Sequence, residues 1–356
     1  NKTNKRRIMN NFKKVGLSAL AGSLAMFSAN AVEYTVSGDA QAVWSSAEGN
    51  EAGAIGSNGK GIGVDTDLYF SASGELDNGW TVSVFTALDL EQSNTATSGG
   101  INSSAQMTIG MGSMGTFQFN DISGSAANAI DDVLPKAYEE VWDGTTHGAS
   151  SHAFGSNTQS GSVDFRTPSF SIGSGVTMSA SGTYDPNAGA GPASAGGVAG
   201  SQQSGTAVTV KFVSDTGLTI GAGEETVADT GINRGAGTTT VYALYSMGPI
   251  SVGYQEAYIN ASSNPVGSST AGADTESDGY AIAYTAGNMS VSYGVVNEQK
   301  QAVGATAALL EVEMSAVQAS YTMGAMTLGA SLYETDNPEG VTGKYEETEL
   351  SVSFAF

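Results

Sequence analysis

Residues 349–356 read Glu349-Leu350-Ser351-Val352-Ser353-Phe354-Ala355-Phe356. In an extended chain Leu350, Val352, Phe354 and Phe356 share one face, and Glu349, Ser351 and Ser353 share the other. A strand with one apolar and one polar side fits a sheet standing between lipid and water.

The same alternation recurs upstream. Over about 33–45, Val36, Ala40, Ala42 and Trp44 oppose Thr35, Ser37, Asp39 and Gln41; over about 61–73, Ile62, Val64, Leu68 and Phe70 oppose Asp65, Asp67, Tyr69 and Ser71. Asn78-Gly79 supplies the positive-φ pair of a tight hairpin into a third strand, with Val82, Val84, Leu88 and Leu90 against Thr81, Ser83, Asp89 and Glu91. Further strands fall near 105–112, 115–121, 161–170, 175–184, 205–214, 218–227, 238–246, 250–259, 278–286, 289–298, 312–322, 326–334 and 344–356, making 16. Short turns at 215–217, 247–249, 286–288 and 323–325 alternate with loops of roughly ten to forty residues. An open sheet edge cannot be satisfied in lipid, so the sheet must close. The expected fold is all-β: a closed transmembrane antiparallel β-barrel of 16 strands filling 32–356 as one domain.

Residues 1–14 hold Lys2, Lys5, Arg6, Arg7, Lys13 and Lys14 and no acid, followed by an apolar run from Val15 to Phe27 and then Ala29-Asn30-Ala31. That is the layout of a secretory signal peptide cleaved after Ala31, with Met9 as the expected start and residues 1–8 as an upstream extension. The apolar run is shorter than the ~20 residues of a spanning helix. Six of the 13 bases leave with the signal, so the mature chain carries 7 bases against 35 acids, formally −28. Such a surface repels nucleic acid, which is excluded as a partner, and draws cations to its openings. With no cysteine in an exported chain there is no disulfide framework.

One loop, about 122–160, lacks alternation and carries Asp131, Asp132, Lys136, Glu139, Glu140 and Asp143. A connection of that length in a compact fold is usually functional. A 16-strand barrel has an aqueous lumen, and a long loop folded inward would narrow it, with those carboxylates at the constriction. Asp39, Asp65 and Asp67 stand on the polar faces of the first two strands; Arg166 shares its polar face with Asp164 and Ser162, and Lys211 with Thr209. A ring of one sign selects the other, so the expectation is a cation-preferring pore whose preference is screened over about 8 to 10 Å.

Val163-Asp164-Phe165-Arg166-Thr167-Pro168-Ser169-Phe170, leading through Gly175 and Val176 to Tyr184, resembles the sixth-strand signature of the general bacterial porins of the Gram-negative outer membrane. Phe356 likewise resembles the C-terminal signal by which outer-membrane barrels are taken up by the barrel-assembly machinery. The resemblance implies a homotrimer embedded in outer-membrane lipid, reached through the periplasm, passing ions and small hydrophilic solutes through a water-filled channel. It also implies an inward-folded third loop facing a ladder of bases, of which Arg166 is one. The match is partial there, because the second- and fourth-strand positions fall among Asp65, Asp67, Gln106 and Thr108, none of them basic.

Other patterns carry less. Gly110, Gly112 and Gly115 spell G-x-G-x-x-G but open no helix, so they read as hairpin glycines. His147 and His152 lack helical spacing and cysteine company, a poor zinc pair. Acidic loops at Asp229, or at Asp274, Glu276 and Asp278, offer oxygen ligands to Ca²⁺, but no twelve-residue calcium loop is present, and no other cofactor is expected. No nucleophile-and-base constellation is visible, which argues against an enzyme. Tyr34, Trp44, Trp80, Tyr254, Tyr258, Tyr284, Tyr293 and Tyr321 suit interfacial girdles. Two rival functions remain: a substrate-specific outer-membrane channel for sugars or small organic acids, and a secreted β-rich adhesin or surface protein.

Overall fold

The computed structural model describes residues 33–49, 58–90, 102–143, 154–155, 158, 160–186, 204–228, 237–260, 274–300 and 310–356. Ala29, Ala31, His147, His152 and Asp229 lie outside the described residues. Seventeen strand segments form one antiparallel sheet. They are β1 (Glu33–Gly49), β2 (Gly59–Glu75), β3 (Thr81–Asp89), β4 (Asn102–Gly110), β5 (Thr116–Asp121), β6 (Ser162–Arg166), β7 (Phe170–Gly173), β8 (Val176–Asp185) and β9 (Gly205–Ser214). The second half comprises β10 (Leu218–Val227), β11 (Gly237–Met247), β12 (Ile250–Asn260), β13 (Thr275–Ala286), β14 (Met289–Lys300), β15 (Val312–Met323), β16 (Met326–Asp336) and β17 (Lys344–Ala355). Apart from β6 and β7, which both pair with β8, each pairs with its neighbours in sequence, and β1 pairs with both β2 and β17, so the sheet closes.

Sixteen staves follow from seventeen segments because β6 and β7 both pair with β8 and form one interrupted stave. The continuous strand expected at 161–170 is broken at Thr167-Pro168-Ser169. Proline has no amide hydrogen for the ladder. Thr167 covers the gap: its amide donates to Ala180 O at 2.9 Å, and its Oγ1 accepts from the Ala180 amide at 2.9 Å.

Short turns close one rim. Gly79 (φ 80°) makes the β2–β3 turn, where its amide donates to Leu76 O at 2.8 Å, and Gly217 (φ 93°) makes the β9–β10 turn. The stretch with Gly110, Gly112 and Gly115 joins β4 to β5 through a single 3₁₀ turn, Gly112–Met114.

Alternation sorts the faces. Along β12 and β13, Val252, Tyr254, Tyr280, Ile282 and Tyr284 are exposed outward, while Gly253, Gln255, Ala257, Gly279 and Ala281 point inward and are buried. Nearer the loops the outer face changes character. Register places Glu256 beside Asp278, Asp278 beside Asn297, Asn297 beside Glu313, Glu313 beside Asp336 and Asp336 beside Lys344. Charged side chains on the lipid face are costly within hydrocarbon, so this row marks where the apolar band ends on the loop side. Tyr254 and Tyr280, paired one step below it, sit at the level expected of an aromatic girdle.

Candidate functional site: the lumen and segment 122–143

The segment leaves β5 and is rooted at Asp164, a fully buried carboxylate on the inner face of β6. Four donors converge on Asp164. Oδ2 accepts from the Ala126 amide (2.7 Å), Arg166 Nη2 (2.9 Å) and Asn120 Nδ2 (3.1 Å), and Oδ1 accepts from Thr183 Oγ1 (2.6 Å). Arg166 Nη2 also donates to Gly124 O at 2.9 Å, and Gln118 Nε2 donates to the same carbonyl at 2.8 Å. A buried carboxylate needs this company, because an unpaired buried charge costs several kcal/mol.

From there residues 128–142 run along the inner wall. A short 3₁₀ turn, Asn128–Ile130, presents its carbonyls to Gln255 of β12, whose Nε2 donates to Ile130 O and Asp131 O at 3.0 Å each; Gln255 Oε1 accepts the Val133 amide at 3.0 Å. The Ala137 amide donates to Ser292 Oγ of β14 at 2.9 Å, and the Tyr138 amide to Gln318 Oε1 of β15 at 3.2 Å. Gln318 Nε2 donates to Glu139 O at 2.6 Å. Tyr138 Oη reaches Glu349 Oε1 of β17 at 3.2 Å and accepts from Gln41 Nε2 of β1 at 2.8 Å.

Glycines in the wall make room for this close approach. A Cβ built on Gly253 would fall 2.5 Å from Pro135, on Gly279 2.7 Å from Leu134, on Gly294 2.6 Å from Val141, and on Gly329 2.6 Å from Tyr138. Leu134 and Val141 are buried there in one cluster with Ala281, Val296, Met314 and Tyr333. The apolar side of the segment thus packs on β13 to β16.

The carboxylates of the segment are unevenly charged. Lys136 donates to Asp132 Oδ2 at 3.2 Å and to Glu140 Oε1, bridging the two. Burial raises Asp132 and Glu139 above the usual carboxylate range and pushes Asp131 up to about 6. Asp143 is exposed at the end of the segment, but partial desolvation there, and then its hydrogen bond to Glu140 and the charge of that neighbour, push it up to about 8. For Glu140 burial opposes the charge, but the bonds from Asp143 and Lys136 outweigh it and hold this carboxylate low.

The wall residues singled out in the sequence also face inward. Register pairs Asp39 with Asp67 and Asp67 with Asp89, a row of three carboxylates across β1 to β3, with Asp65 beside Gln41 one step toward the loops. Tyr69 Oη donates to Asp67 Oδ2 at 3.2 Å. Like charges facing each other across strands destabilise a sheet unless water or cations screen them. Arg166 is tied to Asp164 and the segment's root, so much of its charge is neutralised. Lys211 faces inward on β9, in register with Ser179 and Gly221.

Gln255, Ser292, Gln318 and the four wall glycines were not singled out from the sequence. An isolated glycine within a strand is a signal of close backbone approach, and those at 253, 279, 294 and 329 carried it. Among the described residues no three His, Cys, Asp or Glu side chains converge to hold a metal; Asp274 instead accepts from Tyr258 Oη at 3.1 Å.

The chain is similar to proteins of known structure. It superposes on a structure described as porin refined at 1.8 Å resolution with a TM-score of 0.60, at 16% identity, over 91% of this chain and 100% of that one. It matches an anion-selective porin from Comamonas acidovorans at 0.64 (12% identity, 92% and 100%), and Salmonella typhi OmpF in complex with daunomycin at 0.61 (12% identity, 91% and 97%). No curated protein matches it by sequence. A family model described as Gram-negative porin matches residues 16–356. With closed barrel, polar lumen and family match in agreement, the chain belongs to the Gram-negative porins, channel-forming β-barrels of the bacterial outer membrane.

Proposed function

We propose that this porin is a general diffusion pore for ions and small hydrophilic solutes, preferring cations and narrowed by segment 122–143. The observation that carries this reading is the fastening of an acidic segment to the inner faces of β12, β14, β15, β17 and β1, with Lys136 its one base against five carboxylates. Asp39, Asp65 and Asp67 add to the same negative potential from the wall, while Arg166 is largely spent on Asp164. A lumen of one sign favours ions of the other, most strongly where it is narrow. The similarity to an anion-selective porin on the same fold is a reminder that lining, and not architecture, sets preference.

We further propose a homotrimer, supported by a similar barrel, OmpT of Vibrio cholerae, described in a trimer form (9% identity, TM-score 0.63). Mass measurement of the detergent-solubilised protein tests it; a monomer would refute it.

The deciding experiment is the zero-current potential of single channels in a planar bilayer under a tenfold KCl gradient. A potential toward the K⁺ equilibrium value, reduced in Asp131→Asn/Asp132→Asn, is expected. A potential of the opposite sign would overturn the preference, and absence of channel steps would overturn the pore.

A further inference from the structure

On the short-turn side of the segment a recess of about 510 Å³ opens between residues 126–133 and the inner faces of β8 to β11. That volume falls within the roughly 300 to 1,000 Å³ of small-ligand sites. Its walls divide by chemistry. Ile130 and Val133 from the segment, with Tyr242 and Leu244 from β11, make an apolar side; Ser179, Ser181, Thr209 and Lys211 of β8 and β9 make a hydroxyl-lined, basic one, with Arg166 at its edge.

Lys211 is unusual in this chain. Lys136, Arg166, Lys300 and Lys344 each have a carboxylate partner, as the excess of acids would lead one to expect. Among the described residues, Lys211 has neither an ion pair nor a hydrogen bond, and of the inward-facing bases there it alone is left so. Beside it, Ser181 Oγ and Thr209 Oγ1 lie 2.6 Å apart and share one hydrogen bond, leaving a second hydroxyl hydrogen to donate. An ammonium and a hydroxyl donor on one wall, with an aliphatic and aromatic wall opposite, describe an amphiphilic anion.

We propose that this recess holds a small organic monoanion with an apolar body, an aromatic or branched-chain carboxylate. Its carboxylate lies on Lys211 and the Ser181/Thr209 hydroxyls, and its hydrocarbon on Ile130, Val133, Tyr242 and Leu244. Inorganic phosphate would satisfy the charge and leave the apolar wall wet; a neutral amide of the same shape would leave the ammonium unmatched. The site rests on reading the lumen as water-filled, but not on the ion preference of the pore.

Benzoate is the probe. Titrated calorimetrically into the detergent-solubilised barrel, it is expected to bind saturably, with benzamide and phosphate each at least about tenfold weaker, or about 1.4 kcal/mol. Lys211→Gln should weaken benzoate by a similar factor, Lys211→Arg should restore most of it, and Leu244→Ser should weaken benzoate while leaving phosphate unchanged. Unheated gel mobility verifies that each variant is folded. No saturable benzoate binding, equal binding of benzamide or phosphate, or indifference to Lys211→Gln would overturn the proposal. Bilayer recordings on the same samples separate the two readings: conductance without benzoate binding refutes the recess alone, and binding without conductance refutes the pore alone.

Discussion

Phe356 closes the barrel on Gly38. The Gly38 amide donates to Phe356 O at 2.7 Å, and the Phe356 amide returns to Gly38 O at 2.8 Å. The ring lies over the glycine: a Cβ there would meet Phe356 Cε2 at 2.9 Å, Leu68 Cδ2 at 3.0 Å and Asp67 O at 2.7 Å. Phe356 thus joins β17 to β1, the two strands farthest apart in the chain.

We expect Gly38→Val to hinder that seam more than Phe356→Ala does. Valine must displace the ring and the β2 backbone together, whereas alanine keeps both backbone bonds and loses only the ring's contacts. Each bond contributes about 0.5 to 1.5 kcal/mol net. Refolding into detergent, followed by the unheated gel shift, should rank wild type above Phe356→Ala above Gly38→Val. Equal yields would show that the ring and its seat play no part in closure.

Asp164→Ala should loosen the root of the segment. It removes the acceptor of four donors and leaves Arg166 partly buried without a counter-charge, a loss on the order of 3 to 5 kcal/mol by analogy with broken buried pairs. Asp164→Asn keeps one acceptor and should cost less. Because the backbone ladder that pairs β6 with β5 and β8 is untouched, the barrel should still fold while channel current becomes noisier. A quiet, wild-type channel in Asp164→Ala would refute Asp164 as the anchor.

The staves and their order were legible because a strand between water and lipid must alternate, and alternation survives in the sequence of each strand alone. The interruption of the sixth stave was signalled by Pro168 and passed over. The seating of the segment was harder to read. Ala126 meets Asp164 across 38 residues, and Tyr138 meets Glu349 across 211, so no local pattern carries either contact. The length of the segment pointed inward, and the glycines at 253, 279, 294 and 329 are the local marks of where it seats on the wall. The partnership of Arg166 with Asp164, two residues apart on one face, was visible as an adjacency but not as a neutralised charge.

Those glycines yield a further expectation. Gly279→Val puts a branched side chain where Leu134 sits, and Gly294→Val does the same to Val141; overpacking of this kind costs about 1 to 3 kcal/mol. The strands are held by many ladder bonds and the segment by few, so the segment should give way. Larger single-channel conductance at unchanged barrel melting is the outcome expected. Lowered melting at unchanged conductance would mean that the wall, and not the segment, yields.

Protonation of the segment should set how strongly the pore prefers cations. Asp131, pushed up to about 6, and Asp143, pushed up to about 8, gain charge as the pH rises from about 5 to 9. Both lie above the ordinary carboxylate value near 3.9, so both favour docking when protonated; that contribution is complete below the ordinary value and is lost as pH rises through 6 and then 8. Two effects should then appear together: cation preference grows in two steps, and current noise grows as the segment is held less tightly. Asp143→Asn should abolish the upper step and leave the lower one, and Asp131→Asn the reverse, because the two groups titrate at different places on the same segment. A zero-current potential that stays flat from pH 5 to 9 in the wild type would mean that these carboxylates do not face the ion path.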